Sequence, residues 1–221
     1  MSLFRLDTSI LGTRSTTTGL ADLVEREWRA GAADPEAVVV RRHLGEDPIP
    51  ATTWAPAVAA QFIPPAHRTA EQREALALAA SLVDELLAAD ALILAAPLYN
   101  FGVSQHLKTW VDLLLADPRM VAGEGSPLAG KPSVLLTARG GGYGPGTPRE
   151  GWDHALGWMR RMFGDVWRLD LAVVERELTL VGVDPALDGF TELAERFRVA
   201  AEEQACAAGR DLALRKEAFL A

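Results

Sequence analysis

The chain contains 221 residues, of which 49% are hydrophobic and 24% are charged, a composition that excludes a disordered or collagen-like protein. It carries 30 acidic and 22 basic residues, and the resulting net charge of -8 disfavours nucleic-acid binding, because neutralising phosphates requires a cationic surface. Its one cysteine, Cys206, excludes an internal disulfide, and its four histidines lack the spacing of metal ligands, so we expect no metal site.

Strand and helix alternate in the first 40 residues. Residues 3–7 are predicted to form the first strand, and apolar residues recur at helical spacing in residues 20–31. Asp34 and Pro35 are expected to turn the chain into a second strand at residues 37–40. This is the strand–helix–strand unit from which parallel sheets are built.

The next stretch, residues 47–65, is rich in proline and too apolar for a linker. We expect it to pack over the domain or against a partner, with one short helix. Thr69 and Gln72 form a capping box at the start of a long amphipathic helix. Residues 91–96 are uninterruptedly apolar, which is typical of a strand covered on both faces in a parallel sheet.

The second half of the chain repeats the alternation. The predicted elements are a helix at residues 104–114, a strand at 133–137, a helix at 152–163 and a final amphipathic helix at 190–205. For the fifth strand we favour residues 177–181 over the competing residues 171–174. Five alternations of strand and helix predict an α/β fold with a doubly wound, five-stranded parallel sheet and helices on both faces.

Three unusual loops each follow a predicted strand, at residues 9–18, 98–101 and 138–146. In open parallel sheets, ligands bind outside the carboxyl ends of the strands, where the strand order reverses. In the order 2-1-3-4-5 the first and third strands flank that point. We therefore expect the three loops to converge on one binding site.

The first loop predicts a phosphate site. Four hydroxyl groups precede or begin a helix, on Ser9, Ser15, Thr16 and Thr17. A lone hydroxyl would be interpreted as a helix cap, but several hydroxyls beside free N–H groups at a helix N-terminus suit a dianion, and Arg14 adds positive charge. Neither G-x-G-x-x-G nor G-K-[ST] occurs here, so a terminal monophosphate such as that of FMN fits better than a dinucleotide or nucleoside triphosphate.

The other two loops allow more than one interpretation. Five glycines in residues 138–146 either bring the backbone close to a flat ligand or form a flexible surface loop. Arg139 either supplies a cation near the electron-rich edge of a flavin or pairs with surface acids. Tyr99 and Phe101 either frame a ring, together with Asn100, or belong to the core.

These loops resemble the three flavin loops of the FMN-dependent NAD(P)H azoreductase/quinone reductase family. The resemblance rests on the Ser/Thr loop at residues 9–17, the Ala-Pro-Leu-Tyr-Asn-Phe run at 96–101 and the Arg-Gly-Gly turn at 139–141. It extends in one order from residue 9 to residue 141, and it includes the helical residues 71–78 and 104–112. The family has a flavodoxin-like fold.

The resemblance implies roles for individual residues. The residues that hold the FMN phosphate would be Ser9, Ser15, Thr16 and Thr17. The residues that line the isoalloxazine would be Leu98, Tyr99, Asn100 and Phe101. The residues that close its other edge would be Ala138, Arg139, Gly140 and Gly141.

The chain departs from the family pattern in four places, which concern the choice of substrate more than cofactor binding. Ala138 stands where the family usually has Ser, and Tyr143 stands where a His is common. Residues 115–130 are shortened, and residues 165–176 look inserted. Tyr143 is the candidate catalytic residue, as a proton donor or as a group that orients the substrate.

The resulting hypothesis is an FMN-dependent oxidoreductase that takes a hydride from NADH or NADPH and delivers it through flavin to quinones, azo compounds or related planar acceptors. The alternatives are a pathway-specific flavin reductase acting on one natural-product intermediate, and a flavodoxin-like electron carrier. The resemblance implies a homodimer with active sites at the interface, and we expect residues 54–65 and the helix through Trp110 to expose large apolar groups. Without a membrane-spanning run or a signal-like start, residues 1–221 are predicted to form one cytoplasmic domain with no membrane or nucleic-acid partner.

Overall fold

The computed structural model describes residues 1–32, 37–120, 125–147 and 149–219, so the turn predicted at Asp34 and Pro35 lies outside the described residues. Five strands form one sheet: β1 Ser2–Asp7, β2 Val38–His43, β3 Ala91–Ala95, β4 Pro132–Ala138 and β5 Asp170–Arg176. All neighbouring strands pair in parallel, and their order is β2-β1-β3-β4-β5. The predicted doubly wound parallel sheet is confirmed.

Helices cover both faces of this sheet. Those of the described residues are α1 Thr16–Gly31, α2 Trp54–Ala60, α3 Ala70–Ala88, α4 Gln105–Leu114, α5 Leu156–Met159, which continues as a π-helical segment Arg160–Val166, and α6 Thr191–Phe219. The predicted capping box is present, because Thr69 accepts from the N–H of Gln72 and Gln72 accepts from the N–H of Thr69. None of the helices in the described residues is both long and apolar enough to cross a lipid bilayer.

The sheet divides the core into two layers. On one face, Trp28 of α1 and Ala205 of α6 pack with Leu3 and Ile93 of the central strands. On the other face, α3, α4 and the π-helical segment pack on Phe4 of β1. Because both faces are covered, every residue of β3 and β4 is buried, and for β3 this confirms the prediction from its uninterrupted apolar run.

Trp110 belongs to the second layer and is fully buried, so the prediction that its helix exposes it is wrong. Its ring stacks on Phe4 at 6.3 Å between centroids and meets Trp167 edge-on at 5.7 Å. The short helix predicted within residues 47–65 is α2. On it and just beyond it, Trp54 and Phe62 remain 45% and 81% exposed, as expected for this stretch.

The fifth strand is Asp170–Arg176, so the preference for residues 177–181 is wrong and the competing residues 171–174 are the correct choice. Leu178 has a φ of 59°, which ends the extended backbone. Residues 165–176, which look inserted relative to the family pattern, include this edge strand of the sheet. The helix predicted at residues 152–163 begins later, at Leu156, and is π-helical after Met159.

Candidate functional site

The three predicted loops meet in one cleft of about 350 Å³ at the carboxyl ends of β1, β3 and β4. The predicted site residues that line it are Ser9, Ser15, Thr16, Thr17, Leu98, Tyr99, Asn100, Phe101, Ala138, Gly140 and Tyr143. β1 and β3 are neighbours, and the chain order reverses between them. The cleft therefore lies at the switch point where ligands of open parallel sheets bind.

The polar end of the cleft is the start of α1. Ser15 is the N-cap residue, and its Oγ accepts from the N–H of Thr18 at 3.4 Å. The same oxygen lies 3.0 Å from Oγ1 of Thr17. A hydroxyl has one donor and two acceptor positions, so capping the helix leaves Ser15 able to bind a ligand as well. Thr16 and Thr17 stand in the first turn, where N–H groups lack intrahelical partners and the helix dipole favours an anion.

Two side chains connect the loop after β1 to the loop after β3. The Ser9 Oγ lies 2.9 Å from the Tyr99 Oη, and the N–H of Ile10 donates to that same phenol oxygen at 3.3 Å. The N–H of Leu11 donates to Ser9 Oγ at 3.2 Å. The Ser9 side chain is thus held by Leu11 of its own loop and by Tyr99 of the loop after β3.

The loop after β3 is a tight turn with an unusual backbone. Tyr99 and Gly102 exchange N–H to carbonyl bonds of 3.0 and 2.9 Å, and both central residues have positive φ, 48° at Asn100 and 67° at Phe101. This is the pattern of a type I′ turn, which suits Asn but is strained for a Phe. The Phe101 ring meets Trp152 edge-on at 5.5 Å, which helps to hold it.

The loop after β4 contributes Ala138 and Gly140 to the cleft, whereas the Arg139 side chain points away from it. Arg139 is 7% exposed, and its guanidinium pairs with Asp153 at 2.8 Å, with Glu177 at 3.3 Å and with Glu175. The interpretation of Arg139 as a partner of acidic side chains is therefore confirmed, and the interpretation as a cation beside the flavin is not. Gly141 lies outside the cleft, where it borders a second cavity.

Tyr143 is one of the residues that line the cleft. Its backbone N–H donates to the Glu177 carboxylate at 2.9 Å, and the guanidinium carbon of Arg149 lies 5.8 Å from its ring centroid. Arg149, Thr179 and Leu180 also line the cleft, although sequence analysis did not identify them. Arg149 belongs to no recognisable motif. Thr179 and Leu180 were missed because residues 177–181 were predicted to form a strand.

Comparison with known proteins agrees with this architecture. Residues 1–198 match the model of a family described as having a flavodoxin-like fold. An FMN-dependent NADH:quinone oxidoreductase of Frankia alni is 38% identical over 203 residues, which cover 91% of this chain and 95% of that protein. A protein of the same name from Kineococcus radiotolerans is 41% identical over 206 residues, which cover 90% of each chain. The chain belongs to the family of FMN-dependent NADH:quinone oxidoreductases.

The fold of this quinone oxidoreductase family member is shared more widely. The crystal structure of an azoreductase from Bacillus anthracis str. Sterne matches it with a TM-score of 0.72, over 95% of this chain and 98% of the azoreductase, at 21% identity. Both the resemblance on which the sequence analysis relied and the fold that it implied are confirmed. The name of these relatives specifies FMN as the cofactor, and the cleft contains the residues that the resemblance selects for FMN except Arg139 and Gly141.

Proposed function

We propose that this chain is an FMN-dependent NADH:quinone oxidoreductase that delivers a hydride from NADH, through bound flavin, to quinones, azo compounds or related planar acceptors. The observation that carries the proposal is the single cleft formed by three loops, with a polar end at α1 and apolar walls. The relatives from Frankia alni and Kineococcus radiotolerans have this activity in their names. The chain would act as one flavodoxin-like domain, in the cytoplasm, where NADH is available.

The residues of the cleft suit the two chemically different parts of FMN. The hydroxyls of Ser15 and Thr17 and the first-turn N–H groups of α1 would bind the phosphate, which favours a helix N-terminus. Pro97, Leu98 and the turn that follows offer a flat ring apolar contact and backbone donors on one side of the cleft. Ala138 and Gly140 would contact it from the other side. Arg139 and Gly141 do not line the cleft, and the N–H of Arg139 already donates to the Arg176 carbonyl, so neither residue is assigned a contact with the flavin.

FMN, when bound, supplies the hydride-transfer chemistry, and the protein supplies binding, orientation and exclusion of water. The overall reaction converts NADH, a quinone and one proton into NAD⁺ and the hydroquinone. We assign Tyr143 to orienting the acceptor, because it lines the cleft. Its hydroxyl has no hydrogen-bond partner among the described residues, so it is available to a substrate oxygen.

The proposal includes a homodimer whose partner subunit covers the mouth of each cleft. Apolar side chains are exposed around it: Ile10, Leu11, Phe101, Trp152 and Leu180. An apolar patch of this kind usually marks an interaction surface. Sedimentation at assay concentration tests the assembly: a dimer is expected, and a fully active monomer would contradict it.

The two half-reactions, measured separately by stopped flow, test the function. We expect NADH to reduce the bound flavin directly and menadione to reoxidise it, with no second protein. An electron carrier would need a separate reductase, so a flavin that NADH does not reduce would favour that alternative.

Tyr143→Ala should slow reoxidation by menadione about tenfold and leave reduction by NADH nearly unchanged, with Tyr143→Phe milder because it keeps the ring. If neither half-reaction changes, Tyr143 does not orient the acceptor.

A further inference from the structure

A second cavity lies beside the cofactor cleft, between the loop after β4 and the start of α6. Its volume is about 610 Å³, and its apolar lining is formed by Leu178, Leu187, Phe190, Leu193 and Phe197. Ligand sites typically occupy ~300–1,000 Å³ and combine an apolar lining with a few polar groups. The cavity has the size and the lining of a ligand site, and nothing in the cofactor's binding uses it.

Arg149 joins this cavity to the cleft, since it lines both. Its guanidinium carbon lies 5.8 Å from the centroid of the Tyr143 ring, and Tyr143 lines the cleft. A Cβ on Gly141 would lie only 2.8 Å from Nη1 of Arg149. Glycine at this position therefore lets the guanidinium rest against the loop.

Arg149 also differs from the other arginines nearby in its charge environment. Arg139 pairs with Asp153 at 2.8 Å, and Arg160 pairs with Glu175 at 3.2 Å. Arg149 is exposed, and within the ranges that the structure describes it has no carboxylate within ion-pair distance. Its N–H donors are available to an oxygen of a ligand that occupies both spaces.

We propose that the second cavity binds the apolar side chain of the electron acceptor, and that the acceptor is a quinone carrying an isoprenoid or alkyl substituent. The quinone ring would lie in the cleft, Arg149 would donate to the carbonyl oxygen next to the substituent, and the substituent would extend past Arg149 to lie among Leu193 and Phe197. This inference rests on the proposed function and specifies the substrate class of the same site. Burial of each CH₂ group contributes about 0.8 kcal/mol, or about fourfold in affinity, so a five-carbon prenyl group should matter measurably even when it is partly buried.

The test compares menadione with its 3-prenyl derivative on the FMN-loaded enzyme. In the wild type we expect kcat/KM to be at least about tenfold higher for the prenylated quinone. Leu193→Trp fills the cavity and should remove that tenfold ratio. Val199→Trp introduces the same side chain on an exposed position of the same helix and should keep it. Calorimetric titration of the oxidised enzyme with each quinone, without NADH, should give the same ratio in Kd.

Arg149→Gln provides a second variant in case Leu193→Trp does not fold. It should weaken binding of both quinones about tenfold in the calorimetric titration without NADH. Equal kcat/KM and Kd values for the two quinones in the wild type, or equal loss of preference in Leu193→Trp and Val199→Trp, would overturn the inference. If Leu193→Trp alters sedimentation but not the quinone ratio, the cavity is covered by a second copy and the inference is also wrong. Absence of any NADH:menadione activity would instead contradict the proposed function itself.

Discussion

The Ser9 hydroxyl lies 2.9 Å from the Tyr99 phenol oxygen, which connects the loops that follow two neighbouring strands, β1 and β3. Tyr99 also accepts from the N–H of Ile10. Because these contacts cross the switch point of the sheet, they set the separation of the two loops and hence the shape of the cleft between them. Tyr99 is thus a positioning residue for the loop after β1, whose hydroxyl groups would bind the phosphate.

Tyr99→Phe removes this connection and keeps the ring. Loss of about one net hydrogen bond costs roughly 1 kcal/mol, so we expect the Kd for FMN to rise about fivefold to tenfold. Tyr143→Phe removes the only other phenol oxygen of the chain and is the matched control. Flavin fluorescence titration of the two apoprotein variants measures the difference, and equal FMN affinity in both would show that the Ser9–Tyr99 contact does not shape the site.

Ser15→Ala and Thr17→Ala separate helix capping from phosphate binding. Both should weaken FMN about tenfold or more, because hydrogen bonds to a charged group contribute about 1.5–3 kcal/mol. Ser15→Ala should in addition destabilise the fold by about 1 kcal/mol, because Ser15 caps α1 and Thr17 does not. Riboflavin titration is the control. A loss of riboflavin affinity as large as that of FMN would mean that these hydroxyls act on the ring and not on the phosphate.

Gly45 lies against the backbone of the loop after β1, whose hydroxyl groups would bind the phosphate. A Cβ at this position would lie 2.0 Å from the Ser9 carbonyl oxygen, whereas one at Gly19 of α1 would meet nothing within 4 Å. We expect Gly45→Ala to destabilise the protein by about 1–3 kcal/mol and to weaken FMN, because the Ser9 backbone must move. Gly19→Ala should stabilise the protein by about 0.5–1 kcal/mol through helix propensity. Urea unfolding measures the stability of both variants. Equal free energies of unfolding for Gly45→Ala and Gly19→Ala would contradict the close approach of Gly45 to Ser9.

We expect Asp117 to contribute to the loss of folding stability at acid pH. Hydrogen bonds from the Arg119 guanidinium and N–H hold the pKa of Asp117 below its ordinary value of 3.8. A carboxyl whose folded-state pKa is lowered stabilises the protein above its unfolded pKa and loses that contribution as the pH falls through the folded pKa. Asp117→Asn should therefore reduce the free energy of unfolding at pH 7, and the difference from wild type should shrink below about pH 4. A difference that stays constant from pH 7 to about pH 3 would contradict this role for Asp117.

The sequence is sufficient to predict the fold and the three loops, because both depend on local patterns. The apolar run of β3 indicates a strand buried on both faces, and the hydroxyls at Ser15 and Thr17 mark the start of α1. The end of β5 could not be predicted, since it depends on Leu178 adopting a left-handed backbone that its side chain does not favour. The N–H groups of the following residues, Thr179 and Leu180, then donate to the carbonyls of Arg139 and Gly140.

The contacts that complete the site are long-range, which is why the sequence does not reveal them. Arg139 faces away from the cleft because its guanidinium pairs with Asp153 and Glu175, which lie 14 and 36 residues after it in the chain. Trp110 is buried because α4 packs between β1 and the π-helical segment, where Phe4 and Trp167 enclose it. Neither neighbour is near Trp110 in sequence.

The most direct test of the account is NADH:menadione turnover by apoprotein reconstituted with FMN, with riboflavin at the same concentration as the matched control. The two flavins have the same ring and differ by the phosphate that the start of α1 would bind. We predict steady NADH oxidation at stoichiometric FMN and little at the same concentration of riboflavin. No turnover with FMN, or equal turnover with both flavins at limiting concentration, would contradict the proposed function and the phosphate site on which it rests.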